Sequence, residues 1–233
     1  MNEFSEIRAI AFDADDTLWD NQSHFEAVER RYCEILAPYG DTVYVSRQLF
    51  ITETANMPLL GYGSKAFTLS LIENALRISN NNIAASSIEE ILELGKSLSD
   101  LPSTPLPEVE RTLASLKDNY RLALFTKGEL LNQQNKLHRS GLSAYFCHVE
   151  IVSDKTESQY IALCRHLDIE PSELLMVGNS FKSDIIPALS IGAAAIYIPF
   201  HTTWQLEHAE EFSHKRLVKV SNFSEIQQII MHL

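Results

Sequence analysis

The sequence predicts an α/β protein, with a Rossmann-like three-layer core around a parallel sheet and a small α-helical cap domain. Two observations predict this fold. After about residue 104, short apolar segments alternate with helix-like segments, which is the pattern of β-α units. Between about residues 20 and 103, amphipathic helical patterns dominate, and strand-like alternation is confined to residues 42–45. We therefore expect the core to comprise residues 1–19 and 104–233, and the helical cap to comprise residues 20–103.

The strands of the core are predicted from short apolar segments that polar turns follow. The first covers residues 7–12 and contains two isoleucines, as is typical of a buried strand in a parallel sheet. Further strands are predicted at residues 121–125, 148–152, 174–177, 194–198 and 217–220. Helices are predicted at about residues 130–140, 158–167, 183–191 and 223–232. Gly141 and Gly192 follow two of these helices, where glycine commonly ends a helix.

Four helices are predicted in the cap, at about residues 23–36, 46–56, 64–78 and 86–99. Ser23, Ser64 and Ser86 are suitable N-caps, and Glu89 follows Ser86 at the spacing of a capping box. Prolines mark the segment that returns to the core, because they stiffen a linker and cannot continue a helix: Pro102, Pro105 and Pro107.

The composition limits the classes of partner. The chain has 233 residues, 45% of them hydrophobic, which suffices for one buried core and a second, smaller module. A formal net charge of -12 argues against nucleic acid, whose binding needs clustered lysine and arginine. The N-terminus lacks a basic region before an apolar stretch, and no run approaches the roughly 20 apolar residues that span a bilayer. We expect a cytoplasmic protein without a nucleic-acid or membrane partner.

Cysteine and histidine give no sign of a metal site. The three cysteines form no CxxC pair and are expected to be reduced core residues: Cys33, Cys147 and Cys164. The histidines have no partners at metal-ligand spacing and are expected at the surface, among them His24, His138 and His208.

Charged and polar residues follow the predicted strands. Asp13, Asp15 and Asp16 crowd the end of the first strand, and ligands bind at the carboxyl ends of strands in open α/β sheets. Such crowding is unfavourable because the acids repel one another, and a cation or a proton commonly relieves it. Polar groups also follow the next three strands: Thr126, Lys155, and Gly178-Asn179 with Asp184.

In order and spacing, these segments resemble the four motifs of the haloacid dehalogenase-like hydrolase superfamily. The first motif is the DxDxT string that begins at Asp13, and Lys155 is followed by Tyr160 at the family's spacing. The resemblance covers essentially the whole chain, including the helical cap that this superfamily inserts between its first and second motifs. It implies a Mg²⁺-dependent phosphatase that acts on a small phosphorylated metabolite.

The resemblance implies a role for each motif residue. Asp13 would be the nucleophile that forms an aspartyl phosphate, and Asp15 would be the general acid and base. Lys155 and Thr126 would bind the phosphoryl group, together with backbone N–H groups near Lys127 and Gly128.

Magnesium would be held at the same edge of the sheet. The implied ligands are the Asp13 carboxylate, the backbone carbonyl of Asp15 and the Asp184 carboxylate. The chain departs from the family pattern at Asn179, where the family commonly has Asp. We expect Asn179 to hold a metal-bound water and to lower the metal affinity somewhat. Asp16 stands where glycine is common, and we expect it to point away from the metal.

Within the cap, residues 56–65 are predicted to be a loop that opens a helix. Glycines on either side of Tyr62 permit a close backbone approach to a ligand, and Lys65 could meet an anionic leaving group. Tyr62 and Lys65 are therefore candidate substrate contacts. The alternative is a glycine-rich turn beside an exposed lysine.

Two other functions remain open. A phosphomutase of the β-phosphoglucomutase type shares the DxD motif and the helical cap, and a non-catalytic phosphate-binding regulator would have lost Asp13 or Lys155, which are both present. Dehalogenation is disfavoured, because the dehalogenase relatives lack an acid at the position of Asp15. The sequence does not distinguish nucleotide, sugar phosphate and phosphoglycolate as substrates, and it does not indicate an oligomeric state.

Overall fold

A computed structural model describes residue 4 and residues 6–231 of the chain. Two compact units are present, one formed by Met1–Asp20 with Ser103–Leu233 and the other by Asn21–Pro102. The first unit contains a six-stranded parallel sheet in the order β3-β2-β1-β4-β5-β6. Its strands are β1 (Ala9–Phe12), β2 (Arg121–Lys127), β3 (His148–Val152), β4 (Leu174–Gly178), β5 (Ala194–Tyr197) and β6 (Leu217–Lys219).

The described residues form nine α-helices. Four belong to the second unit: α1 (Gln22–Ile35), α2 (Thr42–Leu60), α3 (Ser64–Ile78) and α4 (Ala85–Ser97). Five belong to the first unit: α5 (Val109–Leu116), α6 (Leu130–Ser140), α7 (Glu157–His166), α8 (Ile186–Ser190) and α9 (Phe223–Met231). None of them is long and apolar enough to cross a membrane.

The sheet of the first unit is buried on both faces. On one face, large side chains such as Ile10 and Phe12 of β1 pack against α5 and α9. On the other face, small side chains such as Ala9 and Ala11 leave room for Tyr160 and other apolar residues of α7. Successive residues of one strand therefore pack against opposite helical layers. The predicted α/β fold with a Rossmann-like three-layer core is confirmed.

Strand order determines where ligands meet the sheet. Chain connections run from β1 outward in both directions, so the order reverses between β1 and β4. Crevices at such a reversal, outside the carboxyl ends of the strands, are the usual ligand sites of open α/β sheets. Asp13 follows β1 at this point, and its backbone N–H donates to the Val177 carbonyl of β4 over 2.9 Å.

The second unit has its own apolar core, formed by all four of its helices. Tyr32 is fully buried there, and its hydroxyl donates to the Leu71 carbonyl over 3.0 Å. Gly95 of α4 lies against Thr68 of α3, because a Cβ at Gly95 would approach the Thr68 hydroxyl oxygen to 2.1 Å. A residue without a side chain therefore permits the close packing of these two helices.

Several local predictions for this unit are wrong. Residues 42–45 form the first turn of α2 and not a strand, because the Asp41 carboxylate caps the helix by accepting from the Tyr44 N–H over 2.8 Å. Residues 56–60 continue the same helix through Pro58, whose missing N–H removes one hydrogen bond close to the end. The loop predicted for residues 56–65 is thus reduced to Gly61–Gly63.

The predicted serine caps are also wrong. Ser23, Ser64 and Ser86 lie inside their helices, which begin after Asn21, Gly63 and Ala84 and lack side-chain caps. Consequently, the capping box of Ser86 and Glu89 does not form. Cys33 and Cys164 are buried as predicted, whereas Cys147 is exposed, because it lies in the turn that precedes the edge strand β3.

In the first unit, the predicted helix at residues 183–191 begins earlier, with a π-helical turn at Phe181–Ile185 that leads into α8. Helix α5 was not predicted. Residue 232, the predicted end of the last helix, lies outside the described residues.

Candidate active site

A buried lysine joins the segments that follow three strands. Lys155 lies three residues after β3, and its Nζ is 2.5 Å from Oδ1 of Asp13 and 2.6 Å from Oδ1 of Asp184. The Lys155 and Asp184 side chains are each only 1% exposed. Charges buried so deeply are tolerated only when they are paired. The structure therefore brings together three residues that the sequence places 142 and 29 positions apart.

The three charges do not balance. Burial raises the pKa of Asp13 to about 7, although the Lys155 ammonium opposes this shift. Burial alone would lower the pKa of Lys155, but the carboxylates of Asp13 and Asp184 raise it above its ordinary value. One ammonium between two carboxylates leaves one negative charge in excess when both acids are ionised. The group is therefore suited to bind a cation.

Asp184 is positioned by the π-helical turn. Its Oδ2 accepts from the Ser180 N–H over 2.9 Å, and the turn is held by the Tyr160 hydroxyl, which donates to the Ser183 and Asp184 carbonyls over 3.0 and 3.1 Å. The Asp184 carboxylate passes directly over Gly178, where a Cβ would lie 2.2 Å from its Oδ2. Gly178 is thus required by close approach rather than by backbone conformation.

Asn179 lies beside Asp13 and the Asp15 carbonyl at the reversal of strand order. Thr17 Oγ1 donates to Oδ2 of Asp13 over 2.9 Å and accepts from the Asn179 backbone N–H over 3.1 Å. The amide orientation that satisfies both polar atoms of Asn179 places its nitrogen 3.2 Å from Asp13 Oδ2 and 3.2 Å from the Asp15 carbonyl oxygen. Asp13 and the Asp15 carbonyl are therefore both in contact with the Asn179 side chain.

This set of residues fits magnesium. Carboxylate and carbonyl oxygens are hard donors of the kind that Mg²⁺ prefers, and the excess negative charge favours a divalent cation. Rotation of the Asn179 amide would turn its oxygen toward a bound cation as a further donor. Asp184 is linked to the same group through Lys155. A bound Mg²⁺ would supply the positive charge that lets the Asp13 carboxylate approach an anionic substrate.

The Asp15 side chain has different neighbours. Lys136 Nζ lies 2.9 Å from each of its two carboxylate oxygens. Gln133 Nε2 donates to Oδ2 over 2.8 Å, and the Trp19 indole N–H donates to Oδ1 over 2.8 Å. The Lys136 side chain is 4% exposed. Asp15 is therefore held as one half of a partly buried ion pair.

A second ion pair holds Lys127. Its Nζ lies 2.5 Å from Oε1 of Glu207 and 2.8 Å from the Ser183 hydroxyl. Ser180 and Ser183 both donate to Oε2 of Glu207 over 2.6 Å. Burial alone would raise the pKa of Glu207, but Lys127 and the two hydroxyls lower it below its ordinary value. Through Ser180 and Ser183, this ion pair supports the turn that carries Asp184.

Thr126, which is 1% exposed, lies in β2 one residue before Lys127. The Gly128 backbone N–H already donates to the Val152 carbonyl over 3.0 Å. The prediction that this N–H binds phosphate requires Val152 to release it. Asp16 has φ of 62°, in the left-handed region that glycine, asparagine and aspartate adopt most easily, which accounts for an acid at a position where glycine is common.

Tyr62 and Lys65 belong to the second unit. Tyr62 lies in the turn between α2 and α3, and the flanking Gly61 and Gly63 have φ of 68° and 129°. Lys65 is the second residue of α3 and is exposed. Their predicted contact with substrate stays a prediction.

Sequence reasoning missed Gln133, Lys136 and Glu207. The first two share the inward face of α6 with Leu137, so the helical periodicity of that segment could have shown two polar residues on a buried face. Glu207 ends a short 3-10 helix in an irregular segment and carries no comparable signal.

Comparison with known proteins finds phosphatases that are similar to this chain over most of its length. A glyceraldehyde 3-phosphate phosphatase of Methanothermobacter thermautotrophicus is 24% identical over an alignment 236 positions long, which covers 96% of this chain and 100% of that protein. A human N-acylneuraminate-9-phosphatase is 24% identical over 206 residues, 82% of each chain.

A solved structure is also similar. The crystal structure of a haloacid dehalogenase-like family hydrolase from Xanthomonas campestris has a TM-score of 0.87 and 31% identity, and covers 97% of this chain and 91% of that one. A model of the haloacid dehalogenase-like hydrolase family matches residues 7–192. The resemblance drawn from the motifs is confirmed, and the chain belongs to the haloacid dehalogenase-like hydrolases.

Proposed function

We propose that this hydrolase is a Mg²⁺-dependent phosphatase that cleaves a small phosphomonoester through an aspartyl phosphate on Asp13. The observation that carries the proposal is the position of the Asp13 carboxylate. Its Oδ1 lies against the Lys155 ammonium, whereas its Oδ2 faces Asn179 and Thr17. One oxygen is thereby left for phosphorus beside a fixed positive charge, and the other for the cation.

In the first step, an oxygen of Asp13 forms a bond to phosphorus while the bond from phosphorus to the leaving alcohol oxygen breaks. The alcohol takes its proton from Asp15. In the second step, Asp15 takes a proton from water, the water oxygen bonds to phosphorus, and the bond to Asp13 breaks. The products are the alcohol and inorganic phosphate. Lys155 offsets negative charge on the phosphoryl oxygens in both steps, with Thr126 as a hydrogen-bond donor.

The Asp15 carboxylate contacts the Lys136 ammonium in this structure. To act as the acid, it must leave Lys136 and carry a proton to the alcohol. We propose that Lys136 and Gln133 are positioning residues. They would hold the Asp15 carboxylate in place between its action as an acid and its action as a base.

The substrate class rests on the two phosphatase relatives, whose names give different small phosphorylated compounds. We propose a small phosphorylated metabolite for this chain as well. The helical unit would serve as the cap that selects it, with Tyr62 and Lys65 as the proposed contacts.

The experiment is a screen of the purified protein against a panel of phosphorylated metabolites, with Mg²⁺ and with excess chelator, by release of inorganic phosphate. We expect Mg²⁺-dependent release of phosphate. Asp13→Asn should abolish both this release and any trapping by beryllofluoride. Retained turnover in Asp13→Asn would remove Asp13 as the nucleophile. Isomerisation of a phosphomonoester that requires a bisphosphate activator and gives no net release of inorganic phosphate would identify a phosphomutase instead.

A further inference from the structure

Three metal-ligating side chains converge on the outer edge of the sheet, away from the candidate active site. His148 and Glu150 belong to the edge strand β3, and His166 is the last residue of α7. Oε2 of Glu150 lies 2.9 Å from Nε2 of His148 and 2.8 Å from Nδ1 of His166. All three ligand atoms lie within 4.8 Å of one another.

The backbone explains why they meet. His148 and Glu150 are two residues apart on one strand, so their side chains point to the same face of the sheet. They pair in register with Ala123 and Phe125, which belong to the face that α7 covers. The last turn of α7 then places His166 over Glu150. The Glu150 side chain is only 13% exposed, whereas those of His148 and His166 are 30% and 55% exposed.

We propose that His148, Glu150 and His166 form a second metal site, for a divalent transition metal ion of the Zn²⁺, Ni²⁺ or Cu²⁺ type. Two imidazole nitrogens and one carboxylate oxygen are a ligand set that these ions prefer, whereas Mg²⁺ prefers oxygen alone. Three protein ligands leave a fourth position for water.

The distances suit such an ion. Tetrahedral zinc, with bonds of about 2.0–2.1 Å, keeps its ligand atoms about 3.4 Å apart. Two of the ligand pairs here are closer than that by about half an ångström, so a small outward rotation of each ring admits the ion. The two ring nitrogens now donate to Glu150. On binding, each gives up that hydrogen, by tautomer exchange in a neutral ring or by release of a proton from an imidazolium.

The site is separate from the chemistry of Asp13. His148 begins β3 and Val152 ends it, and four steps of a parallel strand span about 13 Å. Lys155 lies beyond that far end. A metal ion held by His148 therefore cannot touch a phosphoryl group at Asp13. It would tie β3 to the end of α7, and thus stabilise the first unit without entering catalysis.

The test is a titration of the full chain with Zn²⁺ in millimolar Mg²⁺, followed by calorimetry and by thermal unfolding. We expect one Zn²⁺ per chain to bind and to raise the unfolding temperature. Loss of a ligand in His166→Ala or His148→Ala should weaken this binding by at least about tenfold. The matched control is His138→Ala, an exposed histidine of α6 outside the cluster.

Cu²⁺ electron paramagnetic resonance distinguishes this site from the oxygen ligands around Asp13. We expect nitrogen couplings from two imidazoles in the wild-type protein, and from one in each single variant. Equal Zn²⁺ affinity in the wild-type protein and in His148→Ala/His166→Ala would overturn the proposal, as would a Cu²⁺ spectrum without nitrogen couplings in the wild-type protein. The wild-type spectrum decides the matter even if a variant fails to fold.

Discussion

Lys136 contacts both carboxylate oxygens of Asp15, at 2.9 Å each. The residue that acts as acid and base in the proposed mechanism is thus held by a cation on a different segment, 121 positions away.

Replacement of this lysine should separate positioning from chemistry. Lys136→Met keeps most of the length of the side chain but removes the charge that orients Asp15. We expect kcat to fall by about tenfold to a hundredfold, less than the full contribution of general acid and base catalysis because Asp15 itself remains, with little change in KM and a shifted pH profile. Steady-state kinetics over pH would measure this. Lys117→Met, at an exposed lysine of the same unit, is the control, and an unchanged pH profile in Lys136→Met would exclude the positioning role.

Asn179→Asp should make the protein depend more strongly on magnesium. The Asn179 amide nitrogen lies near Asp13 Oδ2 and the Asp15 carbonyl, and a carboxylate there would add repulsion without metal and another charged ligand with it. We expect a lower unfolding temperature in chelator, a larger rise on addition of Mg²⁺, and a several-fold lower Mg²⁺ concentration for half-maximal activity. A higher Mg²⁺ requirement would show that Asn179 does not face the metal.

Gly178→Ala should displace the Asp184 carboxylate, because the new Cβ would lie 2.2 Å from its Oδ2. We expect a loss of stability of about 1–3 kcal/mol, as is common for overpacking in a core. The same substitution in an Asp184→Ala background should cost less, since the clashing group is gone. Urea unfolding of the four proteins gives this double-mutant cycle, and strictly additive effects would contradict the assigned clash.

Glu53 should make stability depend on pH. Burial, with a smaller contribution from Glu29, raises the pKa of Glu53 to about 8. The folded state therefore keeps a proton that the unfolded state releases above its ordinary pKa, and stability falls as pH rises from about 4.5 to about 8. One proton gives at most about 1.4 kcal/mol per pH unit.

Glu53→Gln should remove this dependence. We expect the variant to be more stable than the wild-type protein at pH 8.5 and similar to it at pH 4.5, by urea unfolding. Glu89→Gln, at an exposed position of the same unit, is the control. Parallel stability curves for the wild-type protein and Glu53→Gln would refute the buried-acid explanation.

The fold could be predicted because each apolar segment of the sheet has the length and the composition of a buried strand. Residues 121–125 and 174–177, for example, are short apolar runs of the kind that form buried strands. The candidate site could be predicted because its motif residues lie at the carboxyl ends of such strands or within six residues of them. Helix starts were missed, since several residues near Asp41 or Asn21 could begin a helix and the choice depends on packing.

Partners distant in sequence were harder to find. Glu207 meets Lys127 across 80 positions, and Glu150 meets His166 only because α7 folds back over the edge strand. Neither pair has a fixed spacing that a sequence pattern could reveal. Patterns report which face a residue occupies, but not which residue lies opposite.

The unequal charges around Lys155 should make the stability of the protein depend on what is bound beside them. With two carboxylates and one ammonium buried together, repulsion is greater in the protein without a cation than in the protein with one. Whatever binds there adds to the folding free energy according to its concentration and affinity. A melting curve can therefore rank candidate substrates before any turnover is measured, even in a variant that has lost the ability to cleave them.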